Sequence, residues 1–186
     1  MSKRREIFSI PNIIGYIRIL LIPVFMYLYI TAETPKDYML AAIVVLVSTF
    51  SDLFDGLIAR KFNMITELGK LIDPLADKLT HFALMICLVY RYPLMWLLLG
   101  IFIVKEGFMA VMGLVMLRHN GKKLNGAKWF GKVCTAILFL SMFALFLIPQ
   151  MPLLAVRCII YGCSAIMLVT LLLYIPVFAK LYKEPQ

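Results

Sequence analysis

The sequence predicts an all-α integral membrane protein with six transmembrane helices and both termini cytoplasmic. Three observations lead there. Hydrophobic residues make up 63% of the 186 positions, where a soluble domain has roughly 45–50%. The apolar residues gather into six runs, each near the roughly 20 residues that a helix needs to cross a bilayer. Lysines and arginines collect between alternate runs. The length suits one domain, so the chain reads as a single membrane domain over residues 1–186, with an interfacial segment at about 1–12.

The spans follow in order. The first covers 13–31. The basic start before it, MSKRREIFSIPN, resembles the opening of a signal peptide. It lacks a small-residue cleavage site, so it reads as retained. The second, 38–60, carries Asp52 and Asp55 toward its end, and the third, 72–90, carries Asp73 and Asp77 toward its start. The fourth is 93–117, the fifth 131–148 and the sixth 153–181, where Pro176 predicts a kink. Cys87, Cys134, Cys158 and Cys163 all fall inside apolar runs without a CxxC pair. They read as small buried hydrophobes.

The net charge of +9 does not call for nucleic acid. Lys3, Arg4 and Arg5 precede the first span. Arg60, Lys61, Lys70 and Lys78 surround the second connection, and Arg118, Lys122, Lys123, Lys128 and Lys132 the fourth. The opposite side holds Lys36, Arg91 and Arg157. Cytoplasmic loops carry the basic excess, which places the termini and the aspartates at the cytoplasmic face of the cell membrane.

Ionisable groups at membrane depth are costly and point to function. Asp52 and Asp55 are three apart, and Asp73 and Asp77 four apart, so each pair shares a helix face. A short link at 61–69 would fold the two spans into an antiparallel pair and gather the four carboxylates. Four unpaired anions together would take protons back. Divalent cations relieve that, and an all-oxygen donor set favours Mg²⁺ or Mn²⁺ over zinc. Four carboxylates suit two ions bridging a phosphate. The alternative is an interfacial loop in which the aspartates pair with Arg60, Lys61, Lys70 and Lys78. Gly56, one turn after Asp52, and Gly69, one turn before Asp73, continue with Ala59 a strip of small residues. Glycine in or beside a helix costs about 1 kcal/mol relative to alanine, so it usually admits a close approach. Pro74 follows Asp73. Proline is tolerated in a first turn, which would put Asp73 at a helix start, in position to cap.

Written out, the stretch is D52-x2-D55-G56-x2-A59-R60-x8-G69-x3-D73-x3-D77. It resembles the signature of the CDP-alcohol phosphotransferases at all eight positions, and the length and six-span layout extend the resemblance over the whole chain. These enzymes use an alcohol hydroxyl to displace CMP from a CDP-linked lipid. The resemblance implies that Asp52, Asp55, Asp73 and Asp77 hold two divalent cations and that Asp77 is also the catalytic base. It implies that Asp55, Gly56, Ala59 and Gly69 line the cytidine pocket, that Arg60 holds a phosphate, and that the enzyme is a homodimer.

The acceptor is read elsewhere. IPNIIGYIR (10–18) resembles the IPNxxxxxR of bacterial phosphatidylglycerophosphate synthases and of cardiolipin synthases of the same fold, through Asn12 and Arg18. FGKVCT (130–135) resembles their GKxxT through Gly131, Lys132 and Thr135. Lys105-Glu106 stands where they commonly have Arg-Glu or Arg-Asp, and Lys105 lies farther from Arg118 than in the usual pattern. Arg18, Lys105, Arg118 and Lys132 are the candidate acceptor-binding residues. His81, one turn beyond Asp77, reads as a supporting residue, and His119 as a loop residue. The expected reaction joins CDP-diacylglycerol and glycerol 3-phosphate to give phosphatidylglycerophosphate and CMP; the alternative takes phosphatidylglycerol and gives cardiolipin. A cation transporter would place its carboxylates near the bilayer midplane, often on broken helices. These aspartates lie at the ends of spans.

Overall fold

The computed structural model describes residues 9–61, 66, 68–120 and 126–183, without the side chains of 10, 11, 52–61, 70, 71 and 120. Among the described residues there are six α-helices: α1 Ile10–Ile30, α2 Pro35–Lys61, α3 Gly69–Arg91, α4 Met95–Asn120, α5 Trp129–Leu147 and α6 Leu153–Lys183. Each coincides with one apolar run. By length and composition, four of them are apolar enough to cross a membrane: α1 over Asn12–Ile30, α4 over Met95–His119, α5 and α6. In α3 the charges Lys70, Asp73, Asp77 and Lys78 occupy the first turns, which shortens its apolar part.

The helix starts correct the expected boundaries. α1 begins at Ile10 because Pro11 sits in its first turn, where a missing N–H costs nothing. Most of the expected interfacial segment, residues 1–8, lies outside the described residues. α3 begins at Gly69, so Pro74 is inside the helix and the first turn holds no acid. Asp73 therefore does not cap. That work falls to Thr66, whose Oγ accepts the Gly69 N–H at 2.9 Å. α2 starts with Thr34-Pro35-Lys36-Asp37, in which Asp37 Oδ2 accepts the Thr34 N–H at 2.8 Å, the returning half of a capping box with proline at the first position. α6 is one helix through Pro176.

The chain divides into two compact units, Met1–Arg91 with Phe146–Pro149, and Tyr92–Leu145 with Gln150–Gln186. In the first, α1 is the helix on which both α2 and α3 pack. The direct α2–α3 pairing expected from the short link rests on that link and on side chains of 52–61, which lie outside the described residues. α3 comes close to α1 at Gly15, where a Cβ would stand 2.9 Å from Ile72 Cγ2, and on α2 Ala41 and Ala42 are buried. Phe25, Tyr29 and Phe146 form an aromatic cluster at the far end, with Tyr29 and Phe146 stacked at 4.1 Å. In the second unit α4 packs on α6, and Met116, Tyr174 and Phe178 form a core joined by Phe108 and Phe130. Of the cysteines, Cys87, Cys134 and Cys163 are buried, while Cys158 is exposed. Its helix turns that position outward, and an apolar run does not tell which face is inside.

Candidate functional site

The site is built from the start of α3. Asp73 and Asp77 are one turn apart there and partly exposed, so both carboxylates lie on one face. Asp77 does not stand alone. The Arg18 guanidinium, only 3% exposed, donates to its Oδ1 at 2.5 Å. Arg18 reaches it from α1, 59 residues away in sequence. Asp77 also fixes a neighbour through its backbone, because its carbonyl contacts His81 Nδ1 at 2.7 Å. A carbonyl only accepts, so Nδ1 carries the proton in that bond. His81 is buried one turn beyond the aspartate.

Two further contacts hold α1 to the same region. Asn12, 1% exposed, accepts the Thr66 hydroxyl at Oδ1, 3.1 Å. A Cβ on Gly69 would stand 2.8 Å from that Oδ1, so in the structure the close approach that Gly69 admits is that of Asn12. Gly15 faces Ile72 and Asp73. Asn12 and Arg18 are visible in the sequence as part of IPNIIGYIR. Gly15, midway between them, and Thr66 were not singled out. Their signal is the three-residue spacing 12, 15, 18 on one helix, and a threonine three residues before a glycine.

Asp52, Asp55, Gly56, Ala59 and Arg60 lie on α2, and their side chains are outside the described residues. Among the described residues no group of three or more His, Cys, Asp or Glu is placed to hold a metal. What is described fits a hard divalent cation in kind. Asp73 and Asp77 supply oxygen donors only, and one of them has already drawn a cation, the Arg18 guanidinium.

The candidate acceptor residues fall into separate places. Arg18 is on Asp77. Lys105, 6% exposed, donates to the adjacent Glu106 at 2.6 Å in the middle of α4. Arg118 is exposed near the end of the same helix. Thirteen residues of helix put them about 20 Å apart along the axis and on different faces, so they do not form one cluster on α4. Lys132 is exposed in the first turn of α5. Beside it Gly131 is buried against Tyr174, whose ring and hydroxyl fill the space a Cβ would need; the Tyr174 hydroxyl accepts the Lys128 N–H at 3.3 Å. His119 stacks on Tyr182 at 4.1 Å.

Helices of membrane-crossing length, one of them opening on two aspartates one turn apart that are held by a buried arginine, define a membrane-associated, carboxylate-bearing helical protein. The chain belongs to the CDP-alcohol phosphatidyltransferase family, which it matches over residues 8–180. It is 33% identical over 133 residues to a CMP-forming cardiolipin synthase of Streptomyces coelicolor, an alignment covering 70% of this chain and 61% of that one. It is 33% identical over 151 residues to the CDP-diacylglycerol–glycerol-3-phosphate 3-phosphatidyltransferase of Bacillus subtilis, covering 75% and 77%. To the Escherichia coli enzyme of the same name it is 29% identical over 130 residues, covering 69% and 71%.

Proposed function

We propose that the chain is a membrane phosphatidyltransferase of phospholipid synthesis. It transfers the phosphatidyl group of CDP-diacylglycerol to glycerol 3-phosphate, giving phosphatidylglycerophosphate and CMP. The observation that carries this is the eight-position pattern from Asp52 to Asp77 in a chain whose relatives include enzymes named for that reaction. Six spans, cytoplasmic termini and a site at the cytoplasmic face complete the reading. The distribution of Lys and Arg supports the orientation. The register of α1 on α3 fits the alternation of spans: Asn12 meets Gly69 and Arg18 meets Asp77, so the two helices run in the same direction, as first and third spans do. A homodimer rests on the family resemblance.

In this reading Asp52, Asp55, Asp73 and Asp77 hold two divalent cations, Mg²⁺ or Mn²⁺. When bound, these neutralise the pyrophosphate and stabilise the departing CMP. The chain's own residues do the rest. Asp55, Gly56, Ala59 and Gly69 border the cytidine, and Arg60 holds a phosphate. The acceptor hydroxyl attacks the lipid-bearing phosphorus, the pyrophosphate P–O bond breaks, and CMP leaves with the bond's electrons. The hydroxyl proton passes to Asp77, whose Oδ1 is held by Arg18; this leaves Oδ2 to take it. Transfer of this kind depends mostly on positioning, which the fixed carboxylate serves. A second reading, cardiolipin synthesis from phosphatidylglycerol, is favoured by the Streptomyces relative.

The test offers the purified chain CDP-diacylglycerol and Mg²⁺ with glycerol 3-phosphate or phosphatidylglycerol separately. CMP release is expected with glycerol 3-phosphate. Turnover with phosphatidylglycerol alone would establish the second reading instead. Asp73→Asn is expected to lower CMP release by about a thousandfold or more, and retained activity would remove the metal assignment.

A further inference from the structure

Three positions of α1 meet three successive turns at the start of α3. Asn12 sits on Gly69 and on Thr66, which caps the helix. Gly15 sits on Ile72, with Asp73 Oδ1 3.8 Å from where its Cβ would be. Arg18 ends on Asp77. The first two contacts set how closely the helices approach, and the third fixes the carboxylate. Asn12, Gly15, Arg18, Thr66, Gly69 and Ile72 are all buried, and only the aspartates they meet are partly exposed. An arginine that is 3% exposed and committed to a carboxylate cannot at the same time be a mobile hand for an incoming acceptor. Its guanidinium is planar and keeps its charge, which suits a partner that must stay charged while buried against a carboxylate. It occupies the side of Asp77 that any other cation would have to share.

We propose that the α1 strip Asn12–Gly15–Arg18 is a positioning element for the second aspartate pair, and that Arg18 is the resident counter-charge of Asp77, competing with a divalent cation for that carboxylate, rather than a residue of the acceptor site. This rests on the metal reading above. It has a consequence that simple scaffolding lacks: removing the Arg18 charge helps the ion and harms the reaction. A positive charge beside a cation site repels the ion and shares its ligand. Without Arg18, Asp77 is free for the ion but no longer fixed in direction.

The experiment uses the full chain in detergent, stripped of metal with a chelator and then titrated with Mn²⁺, the free ion being read by electron paramagnetic resonance. Arg18→Gln is expected to bind Mn²⁺ about tenfold more tightly than the natural chain. Its kcat is expected to fall while the acceptor KM stays put. Arg18→Lys, which keeps the charge and loses the fork, is expected to bind Mn²⁺ as the natural chain does, with kcat partly retained. Unchanged or weaker Mn²⁺ binding in Arg18→Gln, or a raised acceptor KM with kcat intact, overturns the proposal. If the natural chain binds no Mn²⁺, the metal reading fails and with it the competition. The positioning role is then decided without metal, by thermal midpoints of Arg18→Gln, Asp77→Asn and the double variant. The double variant is expected to lose no more than the worse single one, and additive losses overturn the pairing. For the spacing, Gly69→Ala is expected to lower kcat and Asn12→Ala in the same chain to restore part of it; absence of that rescue removes Asn12 and Gly69 from the proposal.

Discussion

Among the described residues each unit buries a lysine or arginine and seats a glycine against a polar side chain, and the two units do so differently. In the first unit Arg18 crosses from α1 to Asp77 on α3, 59 residues on, and Gly69 on α3 faces Asn12 on α1. In the second Lys105 turns to its own neighbour, Glu106, and Gly131 on α5 faces Tyr174 on α6. The first cation ties two helices together and reports their packing. The second offsets a charge within a single apolar helix, between two residues adjacent in sequence. An ion pair that depends on tertiary structure belongs where geometry must be held, which is where the aspartates are. A pair within one helix needs no second helix as its partner, and it serves to make a polar residue bearable at depth.

The largest effect that would break this comparison concerns Lys105. Lys105→Met takes the Lys105 ammonium from Glu106 in the middle of α4 and is expected to cost about 2–4 kcal/mol, since removing one member of a largely buried pair is worse than lacking the pair. Lys105→Met with Glu106→Gln removes both charges and is expected to recover most of the loss. Thermal unfolding in detergent measures both. If the double variant is as unstable as the single one, Lys105 holds more than its neighbour, and the contrast with Arg18 collapses.

A smaller effect tests the glycines. Gly131→Ala drives a methyl into Tyr174 and is expected to cost about 1–3 kcal/mol, as overpacking does. Tyr174→Phe in the same chain removes the oxygen that comes nearest and is expected to relieve part of it. Alone, Tyr174→Phe gives up the bond to the Lys128 N–H, about 1 kcal/mol. An innocuous Gly131→Ala would mean that the first turn of α5 can shift away from Tyr174. The GKxxT glycine would then be kept for something other than packing.

The same contrast explains what the sequence could show. The six helices were legible as apolar runs, four of them long and apolar enough to cross a membrane, and that needs no tertiary information. The pairing of Asp73 with Asp77 was legible from a four-residue spacing for the same reason. The Arg18–Asp77 contact was not, because the pattern IPNxxxxxR marks Arg18 as notable without saying what it touches. The resemblance marks Arg18 for the acceptor, and packing sets its guanidinium on Asp77. The start of α3 was misread by three residues because Pro74 looked like a first-turn proline. The signal that sets the start is Thr66, whose hydroxyl takes the Gly69 N–H. Gly69 was read as a place for a ligand, and the side chain found there is Asn12. Spacing within one helix is written in the sequence, while contact between helices is written only in their packing.

The smallest expected effect comes from a third carboxylate, which extends the comparison to the surface. Asp37 is as local as Glu106 but exposed, and its oxygen Oδ2 accepts the Thr34 N–H and hydroxyl, each at 2.8 Å, and the Glu33 N–H at 3.3 Å. The Thr34 backbone bond, then its hydroxyl, then the Glu33 N–H hold the carboxyl below its ordinary value of 3.8, against a small opposing effect of burial. A folded-state value below the unfolded one favours the charged form in the fold. The contribution is therefore complete at pH above the ordinary value and fades as pH falls toward and through the lowered one. Asp37→Asn removes the titration and keeps a similar shape. The thermal midpoint of the natural chain should exceed that of the variant near pH 6, and the gap should narrow as pH falls toward about 3. A gap that stays constant over that range would mean the carboxylate charge is not what the cap uses. The local pair on α2 would then be held by shape alone, unlike either buried cation.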